Sequence, residues 1–386
     1  PPDGSGFGVR RLMCGIGRGG AVRSRPFVGL LVALSLLGGC AQEDPTQRSV
    51  SVYNWADFIG KHTLEDFEKS TGIKVDYETF DADATVEAKM LAGGSGYDVV
   101  ETSTLLFSRQ IKAGAYLTLD HDRIPGLKNI DPKILELYAG FDPGNAHAVP
   151  YLHSLNGFAY NVKMIRERMP DAPVHSLRMI FDPEIASRFA DCGITFVDSS
   201  RDVLQLALVY LGIDPNTTHR EDMQAAERLI LKVRPYIRTF DSAEYINSLA
   251  NGESCIAMGW SSDYATALAR ARAAGIHLDL AFTVPQEGTN ADYSAFLIPA
   301  DSKHIDEAYE FLNFILKPET IADITNDIYY GNDNRAADHL IRAEIRSNPA
   351  LYPTPEIAGR IFLSAEVSPA LERLVTRTWT RIKTAH

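Results

Sequence analysis

From residue 48 onward, apolar positions recur with two alternating periods. Ser49–Asn54 alternates residue by residue and reads as a strand, Thr63–Thr71 carries a helical period with Thr63 as a plausible cap and Gly72 as a stop, and Ile73–Phe80 alternates again. This is the start of a βαβ unit. Thr85–Ala92 reads as a helix closed by Gly93-Gly94, and Tyr97–Thr102 as a buried strand. In open α/β sheets ligands sit beyond the carboxyl ends of the strands, so Asn54-Trp55-Ala56-Asp57 and Glu101-Thr102-Ser103 fall where a ligand would be.

The same grammar returns in mid-chain, with strands at Gly193–Val197 and Ser254–Trp260, helices around Val203–Leu211 and Met223–Val233, and a further helix running to Ala274. Ala148–Gly157 and Leu280–Pro285 read as crossings between the two units, and Tyr293–Pro299 as a strand returning to the first. The remainder is mostly helical, from Ile305–Leu316 to Leu371–Lys383. The expected class is α/β with two lobes, each a mixed sheet flanked by helices. Residues 41–150 plus about 285–320 are expected to form lobe 1, and about 151–284 plus 321–386 lobe 2.

Ahead of this body, Arg18, Arg23 and Arg25 precede the apolar run Phe27–Leu37, which is too short to span a bilayer and has the form of a signal-peptide core. It ends in Leu37-Gly38-Gly39-Cys40, which resembles a bacterial lipobox and makes Cys40 the expected lipidation site. Residues 1–40 thus read as an upstream extension, signal peptide and lipobox, with residues 1–12 before Met13 an over-long start or cloning remnant. The expected location is the periplasm or outer face of the membrane, with membrane contact through the N-terminal lipid only. Cys14 leaves with the signal, and Cys192 and Cys255 remain. An oxidising compartment favours their pairing, two unpaired buried thiols being the alternative that only their separation in the fold decides.

With 386 residues, 45% hydrophobic and 23% charged, the chain has globular composition and length for two domains. Its 38 Lys plus Arg against 50 Asp plus Glu give 38 − 50 = −12, which argues against nucleic acid or an anionic bilayer as main partner and would steer a cation inward. An acidic surface also serves solubility alone.

Gly15-Ile16-Gly17-Arg18-Gly19-Gly20 fits a dinucleotide spacing but lies in the targeting segment with no strand before it, so it is a chance match. No Walker loop, G-x-S-x-G elbow or H-E-x-x-H is present, and His62, His121, His147 and His153 are scattered without metal-ligand spacing. Neither a metal nor a cofactor is expected. Aromatic residues do adjoin carboxylates at strand ends: Trp55 with Asp57 and Phe58, Trp260 with Asp263, and Asp292 beside Tyr293. A protonated amine takes a charge-assisted hydrogen bond from a carboxylate and a ring face for its methylenes and charge. Singly, each ring also suits a core and each Asp a cap, Asp263 especially as an N-cap.

At these residues the chain resembles the periplasmic spermidine/putrescine-binding proteins of ABC importers, of the type II solute-binding fold, and above all their putrescine-binding branch. The likeness runs from about Val50 to Lys383 and includes Tyr53-Asn54-Trp55, Phe67-Glu68-Lys69, Thr71-Gly72-Ile73-Lys74-Val75, Tyr245-Ile246-Asn247, Leu249-Ala250-Asn251-Gly252, Gly259-Trp260, Glu307-Ala308-Tyr309 and Trp379-Thr380. The resemblance implies a stacking Trp55, an acidic Asp57, a polar Ser103, an amine-binding Asp202, an aromatic wall at Trp260, a further carboxylate at Asp263 and a cage tyrosine at Tyr330. It also implies a disulfide between Cys192 and Cys255, a permease and ATPase as partners, and a monomer.

The pattern departs from the family at several positions. Ala56, Phe58, Leu105 and His153 stand where serine, tyrosine, serine and tryptophan are usual, and Asp292-Tyr293-Ser294 stands where the family has aromatic, any residue, aspartate. Alternate strand residues share a face, so Asp292 and Ser294 should both point to the cleft with the carboxylate moved by roughly 6–7 Å. That shift leaves the amine open among putrescine, spermidine, agmatine, cadaverine and hydroxylated or amino-acid-like amines. Rival readings are a ferric-ion carrier using Tyr329-Tyr330, a hydrolase using Asp57 and Asp263, and an amine-sensing lipoprotein with the same cleft.

Overall fold

The computed structural model describes residues 47–56, 58–80, 82–242, 244–366 and 368–385. Ten strands are present among them: β1 (Ser49–Trp55), β2 (Lys74–Phe80), β3 (Val99–Ser103), β4 (Val149–Asn161), β5 (Ile194–Phe196), β6 (Ile237–Phe240), β7 (Ile256–Trp260), β8 (Leu280–Thr283), β9 (Thr289–Leu297) and β10 (Ile361–Phe362). Their order is β2-β1-β3-β9-β4-β7-β5-β6, with β10 beside β9 and β8 beside β4.

The first half of this order is a βαβαβ unit. β1 pairs in parallel with β2 and β3, joined by the helices Thr63–Thr71 and Asp83–Ala92, and β9 returns antiparallel against β3. Val50, Val52, Val99 and Phe296 pack on one face, and Tyr53, Val100, Leu155 and Leu297 on the other. A sheet covered on both faces buries strand residues on both sides, and Val52 with Val99 on one face and Tyr53 with Val100 on the other fill those positions. Gly72 ends the first helix in the left-handed conformation, its N–H bonding to the Glu68 carbonyl. Thr63, expected as a cap, lies inside that helix; His62 holds the cap position and no side chain caps it.

The second half repeats the unit around β5, β6 and β7, with Phe158, Phe181, Phe196 and Leu206 in its core. The 13-residue β4 joins the halves: its first part pairs with β9 and its last part with β7 and β8. A Cβ at Gly157 on this crossing strand would run into the Thr283 carbonyl of β8, so only glycine admits the close approach. Cys192 and Cys255 form a disulfide with Cα atoms 5.5 Å apart, tying the entrances of β5 and β7.

One lobe assignment changes. Ile321, Ile324, Ile341, Ile345 and Leu351, expected in lobe 2, pack with Val50, Phe67 and Phe311 in lobe 1. Only the last helix, Pro369–Thr384, sends Leu371, Trp379 and Ile382 into the second core. The hydrophobic stripes of the two segments are equally strong, so the pattern alone could not say which sheet each would cover. Among the described residues no helix is long and apolar enough to cross a membrane.

Candidate functional site

The candidate residues follow the carboxyl ends of strands in both halves. Trp55 ends β1 and Ser103 ends β3; Trp260 ends β7, and Asp263 lies in the first turn of the helix Ser261–Ala273 that follows. Asp202 lies in the first turn of Ser200–Tyr210, the helix after β5. Asp57 and Cys40 lie outside the described residues.

Trp55 is half-buried with its ring 4.6 Å from that of Phe80, which ends β2. Phe58 stands edge-on to Tyr330, ring centres 4.4 Å apart, and its carbonyl accepts hydrogen bonds from Tyr151 Oη at 2.8 Å and Asn54 Nδ2 at 3.0 Å. Tyr330 reaches toward the second lobe. Its hydroxyl is pushed well above the usual range by burial and by the charge of Asp263, with Asp292 adding to this and Ser262 opposing it. Tyr329, the other half of the adjacent pair, caps the helix Pro318–Ile328 in the left-handed region and lies under Arg342, 5.3 Å from ring to guanidinium. The two tyrosines thus serve different neighbours.

Asp263 does not act as an N-cap. Trp260 holds that position, and the Asp263 carboxylate takes a short hydrogen bond from the buried Tyr245 hydroxyl. Burial raises its pKa to about 6, against the lowering effects of Tyr245 and Arg270. Asp202 is likewise raised by burial, opposed by Ser199 and by Asn290, whose Nδ2 donates to Asp202 Oδ1 at 2.7 Å. That bond runs from β9 of the first lobe to a helix of the second.

Asp292 is the one exposed residue of β9, yet burial pushes its carboxyl up to about 8, with Asp83 and Asp202 adding their charges. Exposure and burial are compatible if the accessible surface belongs to a narrow cleft: water touches the carboxylate while protein surrounds it. Asp83 shows the same combination, exposed but raised to about 6 by burial and then by Asp202 and Glu87, against Arg201 and Arg109. Ser294 was expected beside Asp292 in the cleft but is 5% exposed.

Sequence reasoning missed Asp83, which opens the helix after β2. The rule that pointed to the ends of β1 and β3 applies equally to β2 and would have found it. Tyr245 was quoted only for its family likeness, and its role emerges from a contact 18 positions away in sequence.

A two-lobed α/β fold with acidic and aromatic side chains at the strand ends and in the helix turns that follow is that of an extracellular solute-binding protein. The chain belongs to the bacterial extracellular solute-binding protein family, which residues 62–353 match. It is 41% identical over 357 residues to the putrescine-binding periplasmic protein PotF of Escherichia coli strain K12, covering 92% of this chain and 95% of that one. It is 39% identical over 356 residues to the putrescine-binding periplasmic protein SpuD of Pseudomonas aeruginosa strain UCBPP-PA14, covering 92% and 97%. Among solved structures it is similar to the spermidine/putrescine ABC transporter substrate-binding protein PotD of Streptococcus pneumoniae, with a TM-score of 0.75 and 26% identity over 88% of this chain and 99% of that one.

Proposed function

We propose that the chain captures a polyamine or related small cationic amine between its lobes and delivers it to an ABC importer, without catalysis. One observation carries the reading: among the described residues, none of the ion pairs engages Asp83, Asp202, Asp263 or Asp292, although burial raises all four and neighbouring carboxylates add to this at Asp83 and Asp292. Arg109 and Arg201, the cations whose charges act on Asp83, pair instead with Glu87 and Glu372. The missing positive charge is one a ligand brings. Trp55, Phe58, Trp260 and Tyr330 offer ring surface for its methylenes, and Ser103 a polar contact. The relatives bind putrescine and spermidine by name, which supports the same class here.

Calorimetry of the apo protein against putrescine, cadaverine, agmatine and spermidine tests the reading. Trp260→Ala and Asp263→Ala are expected to lose about tenfold or more in affinity, roughly 1.4 kcal/mol, while remaining folded. No binding by any of the four amines would end the cationic reading.

The same proposal places the protein as a monomer in the periplasm or on the outer membrane face, held by lipid on Cys40. Fractionation of cells expressing the full chain should find it with membranes and its Cys40→Ser variant released. Equal distribution of the two would remove the anchor.

A further inference from the structure

Glu101 is a fully buried carboxylate that the site described above leaves unused. It is 0% exposed, and neither of its oxygens completes a hydrogen bond. The Ser294 hydroxyl equally completes no hydrogen bond of good geometry, yet it lies near enough to Glu101 to lower the pKa of its carboxyl. On the antiparallel β3–β9 ladder Ser103 faces Ser294 and Glu101 faces Phe296, so Glu101 shares a face with Ser294 and lies diagonally beside it, two rungs inward from the Ser103–Ser294 pair. Two residues further along the same face of β9 is Asp292. Accessibility falls from Asp292, open to the cleft, through Ser294 to Glu101.

We propose that Glu101 is a specificity-determining carboxylate of this site, acting through Ser294. The serine oxygen accepts a hydrogen bond from an ammonium or guanidinium nitrogen of the ligand and donates its own proton to Glu101. This inference rests on the amine-binding reading and deepens it. A hydroxyl has one proton to give and two lone pairs, so the relay completes both orphaned groups at once. A buried acceptor left unmade costs about 1–3 kcal/mol, more when charged, so its retention calls for a compensating role.

Burial holds the Glu101 carboxyl well above the usual carboxylate range; Ser294 opposes this and the charges of Asp292 and Asp83 add to it. The other titratable groups that feel its charge are Tyr116, Tyr138, Tyr151 and Tyr330. None is a cation. The positive charge of a ligand lowers that raised pKa, so binding draws proton from Glu101 into the buffer.

Calorimetry with putrescine and with agmatine, in buffers of different ionisation heat at pH 7, separates this from a structural role. Glu101→Gln should bind about tenfold or more weakly and release fewer protons on binding, with an apo melting temperature no lower than that of the unmodified chain. Ser294→Ala should also weaken binding, and adding Glu101→Gln to it should cost little more, because the route is already cut. Unchanged affinity and proton release in Glu101→Gln, or losses that simply multiply in the double variant, would overturn the role of Glu101. If Trp260→Ala and Asp263→Ala still lose affinity in that case, the amine reading stands without Glu101. Failure of the unmodified chain to bind either amine sinks both.

Discussion

Asp292 shows how one residue's position sets a pH dependence. Its carboxyl is raised from 3.8 to about 8 in the folded apo protein. Between those values the folded state holds a proton that the unfolded chain has lost, so stability is greatest below about pH 4 and falls as pH rises through about 8. Asp292→Asn removes this dependence. Thermal melts of the apo protein should show a shallower decline for the variant across pH 4–8, with the gap in melting temperature widest above pH 8. Parallel curves would mean that the Asp292 carboxylate is well solvated. Amine affinity runs the other way in the same window, since protons and a cation compete for the same oxygens.

At the scale of elements, period and punctuation made most of the architecture legible. Strands β1 and β7 end at Trp55 and Trp260, where their apolar runs end, and the helix Thr63–Thr71 stops at its glycine. β6 escaped because its burial is partial: only Ile237 is buried, and an edge strand with exposed Arg238 and Thr239 carries little hydrophobic alternation. β8 was read as a crossing because four residues paired on one side leave the same trace as a linker. The disulfide rested on the oxidising compartment and on likeness until geometry placed the cysteines. Closing a separation of 63 residues restrains the unfolded chain by roughly 4 kcal/mol, a contribution confined to the second lobe. In the site, residues next to a strand end in sequence were visible. Those brought there by folding, such as Tyr245 to Asp263 and Asn290 to Asp202, were not, because no local pattern encodes a contact between lobes.

For the molecule as a whole, the charges of the cleft bear on whether the lobes close. Asp83 belongs to the first lobe and Asp202 to the second, and the charge of Asp202 helps raise Asp83 to about 6. Closure therefore brings like charges together, while the Asn290–Asp202 hydrogen bond holds the closed form once made. A cation between the carboxylates reverses the sign of the largest opposing interaction, so the ligand acts by favouring one of two arrangements rather than by adding contacts to a fixed one. Removing one charge should imitate part of that effect. In low salt, where repulsion is least screened, small-angle scattering of apo Asp83→Asn should give a radius of gyration shifted toward that of the putrescine-bound unmodified chain. Lowering the pH of the unmodified apo protein below about 6, where Asp83 takes up its proton, should move it the same way. Apo scattering curves that are identical for the two proteins and unaffected by pH would show that repulsion across the cleft does not govern closure.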